Sequence, residues 1–260
     1  MRKSLFNGGI YRMWLRRYWH GAALMLLVFA FVGLSFNSAL QFETGLFEDD
    51  QLNNLTLLTG LYLVYFTMFA AGVAALLCFH YLQNRRSAVM VHALPPKRKT
   101  VFFSVSGAGL TLVCAPILLL GLFFLLAPLL YGQFAPAAVL CWLLMMLATA
   151  FLYFGITSFV GMLTGNSIGQ GLFTIGFVNL PIWLEWWFRQ LGQSYLFWFH
   201  PHEMISQYIS PPFWVSTYFY DVNNRLVEGM LVNIAIPLVF IFVALVFLGF
   251  AVLLYRRRQL

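Results

Sequence analysis

His200-Pro201-His202-Glu203 is the one run in this 260-residue chain whose clustered side-chain types suit a metal ion. Imidazole and carboxylate both ligate zinc, but zinc sites set their ligands on one helix face or gather them from across a fold. Here Pro201 separates the two histidines and Trp198-Phe199 precede them, so the run reads as an interfacial turn and no metal is expected. Gly165, Gly169, Gly171 and Gly176 suggest a phosphate cradle, yet no lysine accompanies them and their neighbours are apolar. The G-x-x-x-x-G-K-[ST] loop that binds nucleotide phosphates is absent from the chain. Glycines spaced this way in a membrane helix permit close packing, the role expected of Gly165, Gly169 and Gly176. Cys78, Cys114 and Cys141 sit inside apolar runs, without metal-type spacing, and read as small buried hydrophobes. No catalytic residue and no cofactor is expected, and the chain does not read as an enzyme.

The elements that would carry these residues follow from composition. Hydrophobic residues make up 62% of the chain and charged residues 9%, against about 25% charged in soluble domains. With a mean hydropathy of +0.82, no soluble fold fits. Apolar runs of about 20 residues indicate helices rather than the alternating strands of a barrel. The expected fold is all-α: a polytopic membrane protein with six transmembrane helices. Residues 1–20 are basic, with Ile10, Trp14 and Tyr18 on one broad face, and are expected to form an amphipathic helix lying in the headgroup layer. The apolar stretch after them is too long for a cleaved signal peptide. Residues 21–260 form the membrane domain. Its spans are expected at about Gly21–Leu40, Leu55–Leu82, Val101–Leu126, Ala137–Leu163, a fifth ending near Leu184, and Met230–Tyr255. Residues 185–228 hold many Trp and Tyr and are broken by Pro201, Pro211 and Pro212, so they are expected to dip into the outer interface and return.

Charge placement tests this layout. Thirteen of the fifteen Lys and Arg fall on one side of the six spans, with Arg189 and Arg225 on the other beside all eight carboxylates. The cation-rich side is expected to be cytoplasmic, because cations near span ends set orientation. Both termini then face the cytoplasm. The net charge of +7 is accounted for by topology rather than by nucleic acid. No span carries an Asp, Glu, Lys or Arg near its middle, which argues against an ion-coupled carrier. It equally leaves a lipid-modifying enzyme without an acid–base pair.

The densest basic island is residues 84–100, with Arg85, Arg86, Lys97, Arg98 and Lys99 around the tandem Pro95-Pro96. His92-Ala93-Leu94-Pro95-Pro96-Lys97-Arg98, leading into Phe102-Phe103-Ser104, resembles the inner-loop pattern of bacterial ABC-transporter permeases of the type-two export class. Phe6-Asn7-Gly8-Gly9-Ile10-Tyr11 with Leu15-Arg16-Arg17-Tyr18-Trp19 is similar to the family's opening amphipathic helix. Met162-Leu163-Thr164-Gly165-Asn166 and Asn179-Leu180-Pro181 resemble a third recurrent stretch. Ala93 stands where the family usually has Ser, and the chain stops at Leu260, where related permeases often continue. The resemblance implies a six-helix half-transporter in the bacterial plasma membrane. It pairs with a second permease and a cytoplasmic ABC ATPase, which hydrolyses ATP to drive export. It also implies that His92, Leu94, Pro95, Pro96, Lys97 and Arg98 form a coupling loop on that ATPase. A membrane scaffold or sensor subunit without transport is the alternative; it predicts no ATPase partner.

The charge separation makes a direct prediction. In a background lacking Cys78, Cys114 and Cys141, single cysteines at Ser87 and Thr44 should label oppositely with an impermeant maleimide on intact cells. Ready labelling of Ser87→Cys from outside would overturn the six-span layout.

Overall fold

Asn7 starts the first helix by capping it. Its Oδ1 accepts the amides of Gly9 (2.9 Å) and Ile10 (3.3 Å), two of the donors a helix N-terminus leaves unpaired. Its own amide donates to Ser104 Oγ at 2.8 Å and ties this start to the third helix. The computed structural model describes residues 6–42, 49–83, 87, 97–127, 136–195 and 230–257. Among these the long elements are α1 (Gly8–Phe42), α2 (Asp49–Phe79), α3 (Arg98–Leu126), α4 (Pro136–Leu163), α5 (Ser167–Tyr195) and α6 (Met230–Arg257). A single 3₁₀ turn, His80–Leu82, closes α2, and no strand occurs among the described residues.

Five stretches are long and apolar enough to cross a membrane: Gly8–Ser35, Leu63–Leu82, Arg98–Leu126, Val139–Leu163 and Ile234–Arg257. α5 qualifies only when its halves, Ser167–Leu180 and Ile182–Tyr195, are taken together, and they meet at 55°. The bend falls at Pro181, whose missing amide N–H removes one helical hydrogen bond. The chain is therefore all-helical among the described residues, with five to six helices of membrane-spanning character.

Two boundaries differ from the sequence expectation. The interfacial helix expected over residues 1–20 and the first span expected from Gly21 form one continuous helix. The aromatic face of its first turns does not stand alone: Ile10 and Trp14 are buried, and Tyr11 Oη lies 3.0 Å from Thr111 Oγ1 of α3. Protein contact thus stabilises a face whose composition also suits a headgroup layer. The fifth helix likewise runs past Leu184 to Tyr195, taking in the start of the expected dipping segment, with Arg189 paired to Glu185 one turn back at 3.3 Å. Residues 196–228 of that segment lie outside the described residues.

Ring contacts and close approaches fix the directions. Phe79 stacks on Phe102 (5.3 Å), and Phe124 meets Trp142 (5.2 Å), so α2–α3 and α3–α4 are antiparallel hairpins. Tyr11–Thr111 and Gly33 against Phe123 make α1 and α3 parallel. Thr67–Met146 and Gly72–Thr157 make α2 and α4 parallel, as Gly155–Ala244 and Phe159–Phe250 do for α4 and α6. One end of the bundle therefore gathers the starts of α1 and α3 and the finishes of α2, α4 and α6. Arg12, Arg16, Arg17, Lys97, Arg98, Lys99, Arg256 and Arg257 all belong to that end.

α4 is the middle of the bundle: 72% of its most apolar window is buried, against 17% for α1 and 22% for α6. Small residues let its neighbours close on it. A β-carbon at Gly155 would lie 2.9 Å from the backbone carbonyl oxygen of Ala244, and backbone cannot rotate away as a side chain can. Gly155→Leu should force α4 and α6 apart and cost about 1–3 kcal/mol or more. Gly249→Leu, at a site with no atom within 4 Å of the new β-carbon, is the control. Thermal denaturation in detergent should separate the two; equal midpoints would remove Gly155 from the packing account.

Candidate functional site at the basic end of the bundle

Within one turn, α3 passes from an exposed basic start to a buried helix. Lys97 is its cap residue, with extended backbone (φ −63°, ψ 148°), and its carbonyl accepts Val101 N at 3.1 Å. Lys97, Arg98 and Lys99 are exposed, whereas Thr100, Val101 and Phe102 are buried. Of the expected coupling residues, the structure thus presents Lys97 and Arg98 at the surface of the basic end. His92, Leu94, Pro95 and Pro96 lie outside the described residues, as do His200, His202 and Glu203.

The two sides of that connection rest on one group of aromatic rings. On the α2 side, the 3₁₀ turn buries Tyr81 and Leu82. Tyr81 Oη shares a 3.0 Å hydrogen bond with Tyr255 Oη of α6, and its ring packs at 5.4 Å against Trp14 of α1. On the α3 side, Phe102 contacts Tyr255 (5.6 Å) and Phe79 (5.3 Å), and Phe79 reaches Phe154 of α4 (6.5 Å). Such pairs contribute about 0.5–1.5 kcal/mol each beyond the area they bury. Five helices therefore converge directly beneath the ends of the loop.

A second, polar cluster joins α2, α4 and α5 at the same end. Gln83 Nε2 donates to Gln170 Oε1 (2.6 Å), and Gln170 Nε2 donates to the carbonyl of Thr157 (2.9 Å). Ser167 Oγ donates to Gln83 Oε1 and lies 2.8 Å from His80 Nδ1. Gln170 has no exposed surface, and Gly161 leaves room for its amide: a β-carbon at Gly161 would overlap it.

Gly165 and Gly176 meet nothing within 4 Å of a β-carbon, and Gly169 only Asn166 and Phe173 of its own segment at 4.0 Å. Inside the chain, the close approaches are instead at Gly109, Gly121, Gly155 and Gly161, in α3 and α4. The three expected packing glycines thus make no close helix approach among the described residues.

Among the described residues no group of three His, Cys, Asp or Glu side chains is placed to hold a metal. The described buried polar side chains are hydroxyls and Gln170, and several hydroxyls bond the carbonyl one turn back, as Thr149 does Met145 and Ser158 does Phe154. Among the described residues, this end ties its helices together through shared rings and amide hydrogen bonds. Sequence reading passed over Gln83 and Gln170. The available signal was an amide placed among apolar residues just after a turn.

Compared with known proteins, the chain matches no family model and no curated protein.

Gln170→Leu should leave the Gln83 side chain and the Thr157 carbonyl short of a partner, at a cost of about 1–3 kcal/mol. Gln190→Leu, at an exposed site on the same helix, should be neutral. Equal thermal midpoints for the two variants would show that the cluster contributes nothing to holding α5.

Proposed function

We propose that this chain is the membrane-spanning permease subunit of an ATP-driven exporter, with the loop between α2 and α3 seated on a separate cytoplasmic ABC ATPase. The observation that carries the reading is the convergence beneath that loop. Both of its flanks rest on rings shared by α1, α2, α3, α4 and α6. A push delivered there reaches five helices through packed side chains, which deform little under load. The exposed Lys97 and Arg98 beside it suit an acidic rim on a partner, and the His92-Ala93-Leu94-Pro95-Pro96 run supplies the resemblance. Tandem proline fixes two φ angles, so such a loop transmits displacement better than a flexible one.

In this reading the basic end faces the cytoplasm of a bacterial cell, both termini lie there, and α5 is a sixth, broken span in the plasma membrane. A second permease, identical or not, packs against Gly165, just before α5, and against the α5 surface that carries Gly169 and Gly176. Substrate crosses between the two permeases. ATP is hydrolysed only in the partner chain.

Leu94 is the apolar anchor of the contact, and Lys97 with Arg98 form its charged rim. Rim charges govern association rate and salt sensitivity, whereas a buried anchor governs lifetime. Lys97→Ala with Arg98→Ala should therefore give a complex that assembles but dissociates as salt rises. Leu94→Asp should lose the ATPase, since an unpaired carboxylate buried in an apolar groove costs several kcal/mol. Co-purification with the candidate ATPase, then ATP turnover in reconstituted vesicles, reads both. Leu94→Asp retaining partner binding and coupled turnover would reduce the loop to a topology signal. Absence of any ATPase partner for the unsubstituted chain would favour a scaffold or sensor.

A further inference from the structure

We infer that the groove between α1 and α2 near the basic end seats one acyl chain of an anionic phospholipid, with Arg17 holding its phosphate. The inference stands apart from the exporter reading and does not require it.

The groove is a cavity of about 130 Å³, walled by Tyr18, Gly21 and Met25 of α1, by Phe66 and Leu77 of α2, and by Val113 of α3. Its lining is almost wholly apolar, and its size is close to that of an engineered apolar cavity of about 150 Å³ that takes up benzene. It therefore accommodates a section of one chain rather than a whole lipid. Leu24 and Phe69, also in its wall, are 63% and 70% exposed, so the groove opens sideways towards the surrounding hydrocarbon. A β-carbon at Gly21 would meet no atom within 4 Å, so the space beside this residue is not filled by the chain.

Charge selects the headgroup. Arg17 precedes Gly21 by four residues, which places both on one face of α1 about one turn apart. Its guanidinium is held over two rings, 5.8 Å from the Trp14 centroid and 5.5 Å from that of Tyr18, and Tyr18 itself lines the groove. The carboxylates among the described residues lie elsewhere. Asp49 and Asp50 start α2 at the far end of the bundle, and Glu185 bonds Arg189 in the second half of α5. A cation fixed by aromatic faces at the mouth of an apolar groove matches a phosphate joined to an acyl chain. A zwitterionic headgroup brings its own ammonium to the same place and gains less. The α1 wall of the groove runs about 10 Å from Tyr18, next to Arg17, to Met25, which is the direction an acyl chain takes from its headgroup into the bilayer.

The test uses the full chain in mixed micelles, with native mass spectrometry as the readout. The probes are palmitoyl-oleoyl phosphatidylglycerol and the phosphatidylcholine of the same chains. One phosphatidylglycerol per chain, retained about fivefold over phosphatidylcholine, is the expected result, the ratio given by one cation at an anionic headgroup. Arg17→Gln should abolish that preference. Arg256→Gln, the same charge change on a helix that does not line the groove, should leave it intact. Gly21→Phe should remove the bound lipid of either headgroup. The Arg17→Gln arm needs no filling of the groove, so the inference stays open to refutation if Gly21→Phe fails to fold. No headgroup preference in the unsubstituted chain, or its equal loss in Arg256→Gln, would overturn the inference. So would lipid retained by a folded Gly21→Phe. A lipid-free two-chain species that Gly21→Phe dissociates would give the groove to a second copy of the chain instead.

Discussion

Hydrocarbon offers a peptide amide nothing to bond with, and a chain of this composition must therefore satisfy its polar groups from within. The α-helix does so for the backbone at every residue except the ends, which is why the described residues are helical almost throughout. The same demand shapes the side chains. Thr111, Thr149, Ser158 and Thr174 each return their hydroxyl hydrogen to a carbonyl of their own helix, four residues back. Asn7 closes the start of α1, and Gln170 spends its amide on α2 and α4. The indole N–H groups of Trp14 and Trp142 are the larger exceptions, buried without an acceptor among the described residues, each within a group of packed rings.

With no hydrophobic drive separating one apolar helix from another in lipid, shape decides which helices meet. α4 holds the centre with small residues on its surface: Gly155 admits the backbone of α6, and Gly161 admits Gln170 of α5. Gly109 and Gly121 do the same for α3, where Cys78, Phe154 and Leu143 fill the space a β-carbon would take. The bundle is thus organised by what its glycines admit, and the large rings gather where the basic end needs breadth.

Much of this was legible in the sequence. Length and apolarity placed the helices, and the sorting of cations from carboxylates grouped their ends in the way the ring contacts then do. The boundary at Gly21 was not legible, because an amphipathic basic stretch has the same composition whether it lies against headgroups or against α3. The continuation of α5 to Tyr195 was hidden by Glu185 and Arg189, whose polarity reads as the start of an interfacial segment, although the two pair with each other on the helix. Among the glycines, composition marked a spaced run in α5, whereas the close approaches inside the chain fall on residues in α3 and α4 that no motif distinguishes. Gln170 was hidden for a related reason: one amide in an apolar run carries no spacing, and only the neighbouring Gln83 and Gly161 give it meaning. The basic loop was read from residue types alone, and what the fold adds is the ground it stands on.

That ground includes the three-residue 3₁₀ turn at His80–Leu82. A 3₁₀ turn is wound more tightly than the helix it closes, by about 20° per residue, and stretched by about 0.5 Å per residue. Rewinding its three residues to α geometry would rotate the chain beyond Leu82 by about 60° and draw it in by about 1.5 Å. Such a rotation would have to break the Tyr81–Tyr255 hydrogen bond, which ties the turn to α6.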